Sequence, residues 1–139
     1  MIRSFSLSDL GRILEIESQS FPKSPYDWLT FINLHYLYPH TFLVFIEEEG
    51  GRILGYIVFS PEGHVISIAV DPLSRGKGIG RELLEKVMNH LGIRRVRAEV
   101  RRSNKGAQDF YLIMGFQVTG VVPNYYGNED ALVMEWVSF

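Results

Sequence analysis

Arg75, Gly78 and Gly80 stand in the spacing R-x-x-G-x-G, with Gly76 and Lys77 between them. An apolar run, Val65-Ile66-Ser67-Ile68-Ala69-Val70, leads into this stretch, and Ile79, Leu83, Leu84, Val87 and Leu91 recur behind it at three- and four-residue intervals. These residue types suit the holding of an anion. Glycine leaves the backbone bare for close approach, the first amides of a helix lack intrahelical partners, and Arg75 and Lys77 add positive charge. A phosphate or pyrophosphate is the expected occupant. Two better-known glycine motifs do not fit. The P-loop pattern G-x-x-x-x-G-K-[ST] fails because Gly78 follows Lys77 and position 71 is aspartate. The dinucleotide fingerprint G-x-G-x-x-G fails because Arg81 or Leu83 stands where its last glycine belongs, although Glu99 lies about twenty residues downstream. The plain alternative is a glycine-rich turn opening a surface helix.

The elements that must position this loop read as follows. Val65 to Val70 is expected as a buried strand stopped by Asp71-Pro72, and a helix starts at or near Gly78 and runs to Leu91, with Gly92 as its C-cap. Arg95 to Arg101 alternates, so Val96, Ala98 and Val100 face one side and Arg95, Arg97, Glu99 and Arg101 the other. Strand, crossover helix and strand imply a right-handed parallel unit. Ser103-Asn104 can cap a helix bearing Ala107, Phe110, Tyr111 and Met114, which Gly115 ends. Strands over Phe116 to Val122 and Leu132 to Val137 flank the loop Pro123 to Asp130.

Upstream, residues 2 to 7 read as a strand, and Ser8 reads as the cap of a helix carrying Leu10, Ile13, Leu14 and Glu17. Phe21-Pro22-Lys23-Ser24-Pro25 breaks that helix, and an aromatic segment with Tyr26, Trp28 and Phe31 follows. Thr41 to Ile46 and Ile53 to Ser60 form an antiparallel hairpin.

With 139 residues, 46% of them hydrophobic, the chain suits one domain, 1–139, with a sizeable core. A net charge of −2 supplies no global field for nucleic acid, and the only local cationic run is Arg94 to Arg102. The absence of cysteine excludes disulfides, thiolate metal sites and acyl-cysteine chemistry, and suits a reducing cytoplasm. Nothing resembles a signal peptide or membrane span, so no membrane partner is expected. His35 and His40 lack a metal-ligand motif, so no metal is expected.

The glycine loop after Val70-Asp71-Pro72 resembles the acetyl-CoA pyrophosphate loop of the GNAT superfamily of N-acetyltransferases. From residue 64 to 136 the pattern narrows. Glu99 to Asn104, Ala107, Tyr111, Gly115-Phe116, Tyr125-Tyr126, Glu129-Asp130-Ala131 and Met134 together resemble the RimI-like N-alpha-acetyltransferases that modify ribosomal proteins. Glu17 and Ser20-Phe21-Pro22 resemble the same family more weakly. Some archaeal and eukaryotic relatives carry Pro-Glu-Asn-Tyr where this chain has Pro22-Lys23-Ser24-Pro25, which leaves the preferred peptide open.

The resemblance implies an α/β fold, more narrowly a single-domain GNAT fold with a splayed, mostly antiparallel mixed sheet flanked by helices. It implies that Ile68, Ala69 and Val70 pair with the pantetheine arm of acetyl-CoA. It further implies that Arg75, Gly76, Lys77, Gly78, Ile79 and Gly80 hold the pyrophosphate and that Asn104 touches the coenzyme. Glu99 would take the amine proton through water and Tyr111 would protonate the departing thiolate. Phe21, Pro22, Tyr125 and Tyr126 would line the acceptor site for a protein or peptide N-terminus. Each role has a plainer counterpart: a ladder of Glu99 with Arg97 and Arg101, a core aromatic at Tyr111, loop aromatics at Tyr125-Tyr126. His64 is an alternative base. A small amine or lysine acceptor, and a nucleic-acid-binding module built on Arg94 to Arg102, are the competing functions. A monomer or homodimer is compatible with all of these.

Overall fold

In the computed structural model, residues 1–138 are described. The elements are β1 (Ile2–Ser4), α1 (Leu10–Ser20), α2 (Trp28–Leu37), β2 (Phe42–Ile46), β3 (Ile53–Ser60), β4 (His64–Val70), α3 (Ile79–Leu91), β5 (Arg95–Arg101), α4 (Lys105–Ile113), β6 (Gln117–Val122) and β7 (Ala131–Val137). Hydrogen bonding orders the strands β1-β2-β3-β4-β5-β7-β6. The pairs β1·β2, β2·β3, β5·β7 and β6·β7 are antiparallel, whereas β4·β5 is parallel. This is the mixed, mostly antiparallel α/β sheet expected from the sequence.

The chain forms two compact units, Met1–Pro61 with Ile66–Leu91, and Glu62–Val65 with Gly92–Phe139. In the first, Phe5, Ile13, Ile16, Phe31, Phe42, Val44, Tyr56 and Val58 close a core shared by β1 to β3, α1 and α2. Gly55 lets the sheet pack closely here, since a Cβ would stand a tight 3.1 Å from the Ala69 carbonyl oxygen and 3.1 Å from Ile79 and would push one of them back. In the second unit the alternation of β5 works as read: Val96, Ala98 and Val100 are buried while Arg95 and Arg97 are exposed. Its α4 begins at a cap in which Asn104 Oδ1 accepts the Ala107 amide at 3.0 Å.

Three local readings change. The first strand stops at Ser4 because Ser6 and Asp9 close a turn, Ser6 N donating to Asp9 Oδ2 at 2.9 Å, so the cap lies at Ser6 and Asp9 rather than Ser8. The carboxylate of Asp9 is in turn gripped by both terminal nitrogens of Arg3, at 2.7 and 2.9 Å. And β4 alternates instead of being buried on both faces: Val65, Ser67 and Ala69 are buried, whereas Ile66, Ile68 and Val70 are half-buried.

Candidate active site

In the first unit, the turn after β4 is pinned at its start. Asp71 is buried, its carboxylate ion-paired with Arg12 and accepting the Leu73 amide at 2.9 Å, while its own amide donates to Leu54 O at 2.8 Å. The Leu73 amide and the Arg12 guanidinium hold the Asp71 carboxyl below the usual aspartate range. Arg75 then folds back, donating to Val70 O at 3.2 Å and to Ser20 Oγ at 3.1 Å. Gly76 and Gly78 have φ of +80° and +82°, and a Cβ on either would meet nothing within 4 Å. Glycine is thus demanded by backbone conformation, and the space over the loop is open. With Lys77 exposed and α3 starting at Ile79, the loop offers two cations, bare backbone and unpaired first-turn amides. These residues fit a pyrophosphate.

In the second unit a set of polar side chains converges on Glu99. The register His64↔Arg97 places His64 on the polar face of β5, where its Nε2–H donates to Glu99 Oε2 at 2.5 Å. Arg97 Nε lies 3.7 Å from the other carboxylate oxygen. The histidine bond is the larger influence and holds the Glu99 carboxyl below its ordinary value, against the opposing pull of burial. Tyr126 donates its hydroxyl to the Glu99 carbonyl at 3.4 Å, and its ring lies 4.2 Å beneath the Arg101 guanidinium. Tyr125 stacks edge-on against Tyr126 with 4.8 Å between centroids. Tyr111 is buried, packs 5.0 Å from Phe116, and its hydroxyl makes no hydrogen bond among the described residues. Burial, reinforced by the Glu99 charge and then by Tyr126, pushes its phenol well above the ordinary value of 10.0. Glu99, Tyr111, Tyr125 and Tyr126 thus belong to one constellation with His64.

Of the ladder that is the plainer alternative for Glu99, only Arg97 lies beside it. Arg101 turns to Glu129 at 3.0 Å, and the main partner of Glu99 is His64. Two features of the sequence could have given this: parallel pairing of the strands, and period-two alternation, which puts Glu99 on the face of Arg97. Arg102 meets Asp130 at 3.3 Å and Arg95 meets Glu135 at 3.8 Å, so four of the five arginines from Arg94 to Arg102 lie beside carboxylates. Phe21 packs on the core of the first unit and Pro22 is exposed. Asn104 spends its side-chain oxygen on its helix cap and keeps its amide hydrogens for another partner. His35 packs edge-on against Phe5, and no group of three or more metal-binding side chains occurs among the described residues.

Residues 10–116 match the Acetyltransferase (GNAT) family. The chain belongs to that family. It is 38% identical over 142 residues to an uncharacterized N-acetyltransferase of Methanocaldococcus jannaschii, covering 96% of this chain and 89% of the relative. It is 30% identical over 143 residues to the [ribosomal protein bS18]-alanine N-acetyltransferase of Escherichia coli K12, covering 96% and 94%. Among solved structures, Ard1 from Thermoplasma volcanium superposes with a TM-score of 0.87 at 29% identity, covering 100% and 97%. A GNAT enzyme is an acyltransferase, and the chain is accordingly an N-acetyltransferase. No helix among the described residues is long and apolar enough to cross a membrane.

Proposed function

We propose that this enzyme moves the acetyl group of acetyl-CoA to the free α-amine of a protein or peptide N-terminus, and that residues 1–139 are a single N-acetyltransferase domain acting in the cytoplasm. The observation that carries the reading is the contact of His64 and Tyr126 with Glu99, with Tyr125 packed on Tyr126 and the buried Tyr111 phenol under the influence of the Glu99 charge. The E. coli relative named as acting on the alanine of a ribosomal protein supports it.

In this reading Arg75, Lys77 and the amides from Gly76 to Gly80 bind the pyrophosphate, and the half-buried face of β4 at Ile68 to Val70, with Ala69 between, takes the pantetheine arm. Asn104 offers its free amide hydrogens to the coenzyme. The amine nitrogen attacks the thioester carbonyl, the new C–N bond forms, and the C–S bond breaks. Glu99, ionised and oriented by His64, takes the ammonium proton through water. An unperturbed peptide α-amine has a pKa of about 7.7 to 8.0, so the free amine is already accessible near neutrality and positioning supplies much of the acceleration. Tyr111 keeps its proton at neutral pH and gives it to the leaving thiolate. The surroundings that make the phenol a weak acid also make a desolvated thiolate a stronger base, so the transfer is matched by environment. Tyr125 and Tyr126 are the acceptor residues of the second unit, and Phe21 with Pro22 form the acceptor wall of the first.

The test is acetyl transfer to a panel of short peptides with free N-termini, peptides with a blocked α-amine and a free lysine, and polyamines, with mass spectrometry locating the acetyl group. Transfer to α-amines is expected to dominate, since a lysine amine of pKa near 10.4 demands a stronger base than Glu99. Faster acetylation of lysine or polyamines would overturn the acceptor and leave the family untouched.

A further inference from the structure

Glu17 is 2% exposed in the core of the first unit, and nothing in the acetyl-transfer chemistry above uses it. A carboxyl in such a place persists only with hydrogen-bond partners. It has three, from three stretches of chain. The Tyr56 hydroxyl of β3 and, at 3.3 Å, the Ser67 hydroxyl of β4 donate to Oε1, and the Tyr26 backbone amide donates to Oε2 at 2.9 Å. Tyr56 and Ser67 also touch each other at 3.0 Å. The first two bonds fix the carboxyl to the sheet. The third reaches into the segment between α1 and α2, which is neither helix nor strand and where Pro22 to Pro25 are exposed. Ser67, inward-facing, sits between Ile66 and Ile68 of the strand assigned to the coenzyme.

We propose that Glu17 is a positioning residue for the acceptor: with Oε1 locked to β3 and β4, its Oε2 holds the Tyr26 amide and so fixes the segment Phe21 to Asp27 against the coenzyme strand. This rests on the reading of Phe21 and Pro22 as an acceptor wall. Three donors converge on two oxygens, a pattern that an ionised carboxylate satisfies completely. A wall held before binding leaves less chain to order when the acceptor arrives, so the effect belongs to acceptor affinity and not to coenzyme binding. Glutamine can keep the Tyr26 bond through its one carbonyl oxygen while the two hydroxyls rotate to accept from its amide. Leucine fills the space, leaves Tyr56 and Ser67 bonded to each other, and cannot hold Tyr26.

The experiment uses the full chain, acetyl-CoA and a peptide with a free N-terminal alanine, with hydrogen exchange of residues 21–27 followed in parallel. Glu17→Leu is expected to raise the peptide KM about three- to tenfold, the worth of one net hydrogen bond. The acetyl-CoA KM should stay put, kcat should change less than the peptide KM, and exchange at Tyr26 should quicken without change in β6 and β7. Glu17→Gln should restore most of the peptide KM. If Glu17→Leu does not fold, Glu17→Asp, one methylene short of Tyr26, reads the same quantities. Peptide turnover with an unmoved KM and unmoved exchange in a folded variant overturns the positioning role alone. A wild type that acetylates no free peptide sinks the acceptor reading and this role together.

Discussion

His64 Nε2 lies 2.5 Å from Glu99 Oε2, and through that bond the first residue of β4 favours the ionised carboxylate at the centre of β5. The folded Glu99 carboxyl sits below its ordinary value of 4.5. Below pH 4.5 the unfolded chain therefore binds more protons at this group than the folded chain does, and stability rises with pH there. The stabilisation is complete above 4.5 and is lost as pH falls through the folded pKa. His64→Gln should flatten the acid limb of a plot of melting temperature against pH. Parallel curves for variant and wild type would show that His64 does not govern Glu99.

The same displacement fixes what the pH–rate profile must look like. Glu99 is ionised throughout the neutral range, so the rise of kcat/KM near neutrality follows the acceptor amine, which titrates at about 7.7 to 8.0 when unperturbed. Glu99→Gln is expected to lower kcat/KM by roughly 10²- to 10⁴-fold across the range without moving that rise. A neutral limb that vanishes in the variant would mean that Glu99 titrates there, against its lowered pKa.

Tyr111→Phe separates chemistry from packing with little ambiguity, because the hydroxyl has no hydrogen-bond partner among the described residues to lose. Melting temperature and the coenzyme-induced rise in it should be kept, while turnover falls about ten- to a thousand-fold, the lower part of the general-acid range. Unchanged turnover would return Tyr111 to the core.

At the glycine loop the two substitutions of interest act differently. Gly78→Ala meets open space but must adopt φ near +82°, at a cost of roughly 1 to 2 kcal/mol in stability. Gly78→Glu adds a negative charge over the proposed pyrophosphate position, and acetyl-CoA should no longer raise its melting temperature, as it should for the wild type. A normal shift in Gly78→Glu would move the coenzyme elsewhere.

Whatever repeats or punctuates is legible in the sequence. The R-x-x-G-x-G loop, the alternation of β5, the Pro22 and Pro25 break, and the Asn104 cap are local signals, and each element they mark lies within a residue or two of its expected place. Partnerships between distant residues are not legible. Glu17 stands in a helical stripe like any surface carboxylate, and only the meeting of α1 with β3 and β4 reveals Tyr56 and Ser67 around it. Arg12 and Asp71 are 59 residues apart, and Asp71 reads as a strand terminator until its ion pair is seen. Ser4 ends β1 early for a local reason that escapes the pattern, because Ser6 and Asp9 cap a turn three residues apart without the glutamate or glutamine that marks the familiar box.

The loop that carries Tyr125 and Tyr126 is closed by its own backbone. Asn124 N donates to Asp130 Oδ1 at 3.0 Å, Gly127 N to Asn124 O at 2.9 Å and Tyr126 N to Glu129 O at 3.1 Å, while Asn124 and Gly127 hold left-handed turns at φ of 53° and 82°. Ordering one free residue costs about 1 to 2 kcal/mol in conformational entropy, so a mobile loop of this length would tax any ligand heavily. Here that entropy is surrendered on folding, before any ligand arrives. Calorimetry of an acceptor peptide meeting the two tyrosines should therefore show an entropy change set by the peptide and its water, with almost nothing from the loop.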